Sequence, residues 1–187
     1  MNRWSISFLA VSMAAILSVA TSVTAAALAE GASGQVQFLA QQSGAALEGR
    51  FSQFSADVEL DPLHPQSSKI KVAIDLASVD AGGADANNLL KGQDFFDVAR
   101  FPSATFVATS VQATGPGAYQ ASGPFTIKGR TAQLVIAFVA RPDATGVWFE
   151  GSAPISRLAF KIGEGQWSDV STLDDEVQMR FKVHVTR

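Results

Sequence analysis

Val177, Met179, Phe181, Val183 and Val185 alternate with Glu176, Gln178, Arg180, Lys182 and His184. A two-residue period sends the large apolar side chains to one face and the polar ones to the other, which marks a strand with one buried face. The period returns in SKIKVAIDL, where Ile70, Val72, Ile74 and Leu76 oppose Lys69, Lys71, Ala73 and Asp75. QVQFLA, FSADVEL, SATFVATSV, AYQASGPFTIK, AQLVIAFVA and VWFEGSAPIS bring the runs to eight. Eight short antiparallel strands of this kind make a sandwich or a closed barrel, and about eight strands leave a barrel interior that admits one small ligand. The barrel is the favoured expectation: an all-β chain of eight antiparallel strands with one short helix.

Local signals refine that expectation. Phe51 and Phe54 are three residues apart and share a face only if the strand bends near Ser52 and Gln53, as strands do at barrel corners. The one plausible helix runs from about Ala84 to Lys91 and ends at Gly92. Pro124 and Pro154 lack a ladder donor, so their strands should have an edge, end or bulge there. Gly129 in KGR suits the positive φ of a hairpin turn.

The first 29 residues read as a secretory signal peptide: Arg3 near the amino terminus, an apolar stretch from Ile6 to about Val19, then small residues ending in Ala27, Leu28 and Ala29. The expected domain is residues 30–187, exported to the periplasm. Cysteine is absent, so disulfides, thiol chemistry and thiolate-held metals are excluded. The formal charge is −3 with no basic cluster, and nucleic acid is not an expected partner. Thirteen Phe against one Tyr and three Trp give an aromatic surface almost without hydrogen-bonding handles, suited to a dry interior.

Catalytic patterns are scarce. His64 and His184 are the two histidines, and neither has metal-ligand spacing. GxSxG, HExxH and phosphate-binding glycine loops do not occur. Asp94 and Asp97 in GQDFFDVARFPSATF have the spacing of an acid/base pair or of hard-metal ligands; capping a turn for Asp94, and a main-chain bond or an Arg100 pair for Asp97, is the preferred reading. Asp174, Asp175 and Glu176 read as a solvated acidic run, and Gly163, Gly165 and Trp167 are too loosely spaced for a nucleotide site. No catalytic, cofactor or metal residue is therefore assigned.

Four ordered segments, DFFDVARFPSATF, FTIKGRT, SRLAFKIGEGQW and DDEVQMRFKVHV, resemble the YceI-like family of exported lipocalin-like proteins over roughly residues 34 to 187. The resemblance implies an eight-stranded lipocalin-like barrel around an elongated apolar cavity that holds a long-chain isoprenoid, polyprenyl or quinone-type. It also implies a branch associated with cytochrome b561-type membrane proteins. The chain departs from the family pattern at Ala159 and Lys161, and its first strand, GQVQFLAQQS, has no histidine.

The candidate ligand-binding residues follow from inward parity and aromatic content. They are Phe38 and Phe54 on the early strands; Ile70, Val72 and Ile74; Leu90, Phe95, Phe96 and Phe101 around the helix and its loop; Phe106; Phe125 and Ile127; Ile136 and Phe138; Phe149; Phe160 and Trp167; and Met179 and Phe181. Phe96 and Phe101 are expected at the mouth. The leading function is a periplasmic carrier of an isoprenoid without bond chemistry, with a cytochrome b561-type protein and a second copy of the chain as candidate partners. Two alternatives stay open: a lipid-modifying isomerase or hydrolase, which needs an inward acid, base or nucleophile, and a small outer-membrane barrel, whose strands also alternate.

Overall fold

The computed structural model describes residues 32–186; the signal-peptide segment lies outside them. Eleven strands and one helix appear in the order β1 (Ala32–Gln42), β2 (Ala45–Phe51), β3 (Phe54–Glu59), β4 (Lys69–Asp75), β5 (Val79–Asp80), α1 (Ala84–Lys91), β6 (Ser103–Val107), β7 (Ser110–Gly115), β8 (Ala118–Ile127), β9 (Arg130–Pro142), β10 (Gly146–Ser156) and β11 (Glu176–Thr186). All pairings are antiparallel, in the order β3-β4-β6-β8-β9-β10-β11-β1-β2-β5, with β7 also on β8.

Eleven strands replace the expected eight because three strands are each broken by a bend. β2 runs into β3 through Ser52 and Gln53, β4 into β5 through the turn Leu76–Ser78, and β6 into β7 through Ala108 and Thr109. β2 pairs with β5 and β3 with β4, so the two bent strands stay in register along both halves. The bend is held by Asp75 N–H donating to the Gln53 carbonyl (3.0 Å) and by Gln53 N–H donating to Ser78 Oγ (3.1 Å). Each end of the sheet is therefore the continuation of a strand already inside it, and the curled sheet returns on itself as a barrel. Phe51 and Phe54 both pack on the main core across the bend, as their spacing required.

The prolines sit where no donor is missed. Pro124 falls between the β6 ladder, which reaches Phe106↔Phe125, and the β7 ladder, which begins at Ser110↔Ser122. Pro154 lies past Ser152↔Ala137, the last β9–β10 pair. Helix α1 matches its expected span, but Gly92 has φ −69° and is not a left-handed cap. Its N–H still closes the helix on the Leu89 carbonyl at 3.0 Å.

The β8–β9 turn places both Lys128 (φ 49°) and Gly129 (φ 68°) in the left-handed region, the geometry a two-residue hairpin needs to follow strand twist. A Cβ on Gly129 would also meet the Phe101 ring at 2.7 Å. Gly129→Ala should therefore cost about 1–2 kcal/mol, read as a drop in urea midpoint at constant m-value; an unchanged midpoint contradicts this account of the turn.

On the strands Lys69, Lys71, Glu150, Arg180 and Lys182 are exposed, while Val36, Ile74, Phe106, Phe125, Phe138 and Phe149 are buried; the buried charges Asp97, Lys128 and Arg157 lie in the connections. An outer-membrane barrel has the opposite polarity, apolar outside and polar within. Among the described residues no helix is long and apolar enough to cross a membrane.

Candidate ligand-binding site

Two adjoining cavities occupy the barrel. The first, about 110 Å³, is walled by Ile70, Val72, Phe106, Ile136, Phe138, Phe149 and Phe181, with Val36, Ala121 and Leu134 among their neighbours; its one charged lining residue, Arg180, is exposed. The second, about 220 Å³, is walled by Phe38, Leu90, Phe95, Phe96, Ile127 and Trp167, with Phe51, Leu76, Ile162, Leu173 and Val177. Ile74, Phe125, Ile155 and Met179 border both and form the waist between them. Met179 is unbranched with three rotatable bonds, so the waist contains a side chain able to move aside.

The walls arise from strand parity. On β8, Ala121, Phe125 and Ile127 are buried and alternate with less buried Gln120, Ser122, Pro124 and Thr126. Across β1 and β2, Phe38 is paired with Gly49, and a Cβ at Gly49 would collide with the Phe38 ring. That glycine leaves room for Phe38 to lean on Phe51 at 5.7 Å, and Phe51 contacts Phe96 at 5.8 Å.

Residues 157–175 cover the second cavity, and Arg157 holds them. It is 2% exposed. Its Nε donates to the Asp174 carbonyl (2.8 Å), Nη1 to those of Ile162 (2.9 Å) and Gly163 (3.1 Å), and Nη2 to that of Leu173 (2.6 Å). Burial draws its pKa below the ordinary arginine value, with the charges of Asp175 and Asp174 acting the other way. A Cβ on Gly163 would lie 2.5 Å from Nη1, so glycine is needed for the guanidinium to reach that carbonyl.

Three further ties fix the cover. Lys128 Nζ donates to the Lys161 carbonyl (2.6 Å) and to Glu164 Oε2 (3.0 Å), and that hydrogen bond holds the Glu164 carboxyl below its ordinary range. The Asp94 carbonyl accepts from the N–H groups of Gly163 (2.7 Å) and Glu164 (3.0 Å). Ser43 N–H donates to Thr172, and Asp174 N–H to Gln41, both at 2.9 Å.

Three sequence candidates line neither cavity. Phe101 lies against Gly129, with the Arg100 guanidinium 5.1 Å from its ring centroid; the turn after α1 points it away from the interior. Phe160 is buried behind the wall, edge-on to Phe125 at 5.4 Å. Phe54 opens β3 beside the bend and packs on the core from there. The mouth is also not where the aromatics suggested, since Phe96 is buried. Leu47 of β2 and Leu89 of α1, 40% and 41% exposed, line the second cavity and mark its opening instead.

The carboxylates of the Phe-rich loop serve structure. Asp97, at φ 49° and buried, contacts Arg100 at 3.3 Å, and Asp94 contributes the carbonyl described above rather than a side-chain cap. His184 is buried on the outer face, 4.8 Å from Trp148 and 3.2 Å from Asp143, while His64 is exposed beside Asp61. Among the described residues no three His, Asp or Glu side chains gather as metal ligands would.

A curled antiparallel barrel with an apolar, two-part interior defines the lipocalin-like class. Residues 28–185 match the YceI-like domain, and the chain belongs to that family. A UPF0312 protein of Shewanella sp. (strain ANA-3) is 34% identical over 120 residues, 64% of this chain and 63% of that protein, so the match spans less than two thirds of that relative. A UPF0312 protein of Vibrio cholerae serotype O1 (strain M66-2) is 30% identical over 82% of this chain and 85% of its own. Among solved structures, Burkholderia cenocepacia BcnA superposes with a TM-score of 0.79 at 34% identity, covering 82% of this chain and 96% of that one. A polyisoprenoid binding domain from Saccharophagus degradans shares the fold at a TM-score of 0.65 and 13% identity, over 84% and 97% of the two chains.

Proposed function

We propose that this protein binds a long-chain isoprenoid lipid in its barrel and holds or carries it without bond chemistry. The observation that carries the reading is the pair of apolar cavities meeting at a waist, a shape that takes a chain rather than a compact ligand. Burying apolar chain contributes about 0.8 kcal/mol per methylene, so several isoprene units bind tightly with few polar contacts. Family membership and the name of the Saccharophagus neighbour favour an isoprenoid over a straight acyl chain. The lining offers no serine, histidine or lysine, which favours binding over catalysis. A quinone-type head and a cytochrome b561-type membrane partner are finer parts of the reading and rest on the family resemblance alone, and a homodimer is a further candidate. The Arg3-led apolar leader adds export to the periplasm.

The test is gentle purification from the native host, followed by native mass spectrometry and organic extraction. The expected protein starts at Glu30, is recovered in the periplasmic fraction without detergent, and carries a stoichiometric isoprenoid. Protein free of lipid that also fails to take up a quinone or a polyprenol in vitro overturns the reading.

A further inference from the structure

A chain that runs through both cavities has to pass Ile74, Phe125, Ile155 and Met179, the four side chains that border both. Three of them are poorly suited to move aside. Ile74 and Ile155 are buried and branched at Cβ, which leaves χ1 stiff. Phe125 is buried too, and the Phe160 ring lies edge-on to it at 5.4 Å, so turning Phe125 breaks an aromatic pair.

Met179 differs on each count. It is half-buried where the other three are buried, and its unbranched thioether exchanges rotamers at small cost. It is also the one methionine among the described residues, so this adaptable side chain occurs at the waist and nowhere else in the barrel. Its neighbours give the movement a direction. On β1 Met179 is paired with Phe38, whose ring packs on Phe51 at 5.7 Å; on β10 it is paired with buried Ala153, which lines the first cavity. Residues opposed in this way stand with their Cβ atoms about 4.5–5.5 Å apart. A swing toward β1 therefore meets an aromatic ring, and a swing toward β10 meets a single methyl group.

We infer that Met179 is the gate between the two cavities and the residue that sets which isoprenoid lengths the protein accepts. A short isoprenoid is held in the second cavity with Met179 across the waist. A longer one turns Met179 toward Ala153 and sends its tail past it into the first cavity. This selection by length rests on the isoprenoid-binding reading.

The experiment titrates the purified protein and two variants with a three-unit and an eight-unit prenol. Met179→Ile keeps apolar bulk at the waist but branches it at Cβ. It should bind the three-unit prenol as the wild type does and the eight-unit prenol about 100-fold more weakly, the loss expected when about three to four methylenes stay out of the first cavity. Met179→Ala removes the gate, and the eight-unit prenol should associate with it several-fold faster than with the wild type. In protein labelled with methyl-¹³C methionine, the Met179 resonance is identified by its loss in either variant; it should take one position with the short prenol and another with the long one. Met179→Ile that binds both prenols as the wild type does, or that loses both equally, overturns the inference. So does an unchanged association rate with Met179→Ala, or a methyl resonance that the two prenols leave in the same place. Should Met179→Ile not fold, Met179→Ala and the wild-type resonance decide. Wild-type protein that binds neither prenol refutes the isoprenoid reading itself, whereas tight binding of the eight-unit prenol by both the wild type and Met179→Ile refutes the gate alone.

Discussion

Replacing Arg157 by methionine lowers the unfolding free energy by about 3–5 kcal/mol, because four main-chain carbonyls lose the donors that guanidinium supplies and each buried acceptor left unpaired costs about 1–3 kcal/mol. The upper sum is not reached, since part of the cover opens to water once released. For a chain of this size the loss corresponds to a fall in Tm of about 10 °C. Methionine keeps apolar bulk in the site, so the loss reports on the hydrogen bonds rather than on an empty space. Arg157→Lys should rescue little: an ammonium has three donors on one point, and the four carbonyls of Ile162, Gly163, Leu173 and Asp174 are spread around a planar fork. Urea unfolding at constant m-value measures the effect. A change under about 1 kcal/mol would show that residues 157–175 are held chiefly by Lys128, Asp94 and the β1–β2 turn.

Arg157 also shows where the sequence was readable and where it was not. The parity of β11 could be read at once, because five apolar residues alternate with five polar ones, and the same rule placed Ile70, Val72, Ile74, Phe106, Phe138 and Phe149 on the inner wall. β2 was illegible beyond its last residue. Its inward positions are Ala45, Leu47, Gly49 and Phe51, and the glycine belongs there only because Phe38 from another strand fills its place. Arg157 carried a signal that could have been used: it continues the inward parity of Ala153 and Ile155, where a charge is out of place unless something nearby accepts its hydrogen bonds. The loop from Gly92 to Pro102 has no period, so nothing in the sequence separates buried Phe95 and Phe96 from Phe101, which faces Gly129.

Filling the first cavity separates a chain-binding interior from an ordinary core. Ala121 is 1% exposed on β8, opposite Ile136, and lines the first cavity only. A phenyl ring at that position projects into the space beyond the waist. Ala121→Phe should lower affinity for a long isoprenoid at least 100-fold, about 2.8 kcal/mol, the equivalent of about three to four methylenes kept out of the barrel. A three-unit prenol, short enough to stay in the second cavity, should bind nearly as well as before. Lys71→Ala, on the outer face, should change neither. Overpacking carries its own penalty of about 1–3 kcal/mol, so the stability of the variant is measured alongside its binding. Chain length then discriminates: a general loosening of the barrel weakens short and long ligands together, whereas a blocked tail site weakens only the long one. Equal losses for both, or none for either, would mean that the tail does not pass Ile74, Phe125, Ile155 and Met179, and that the first cavity is packing space of the core.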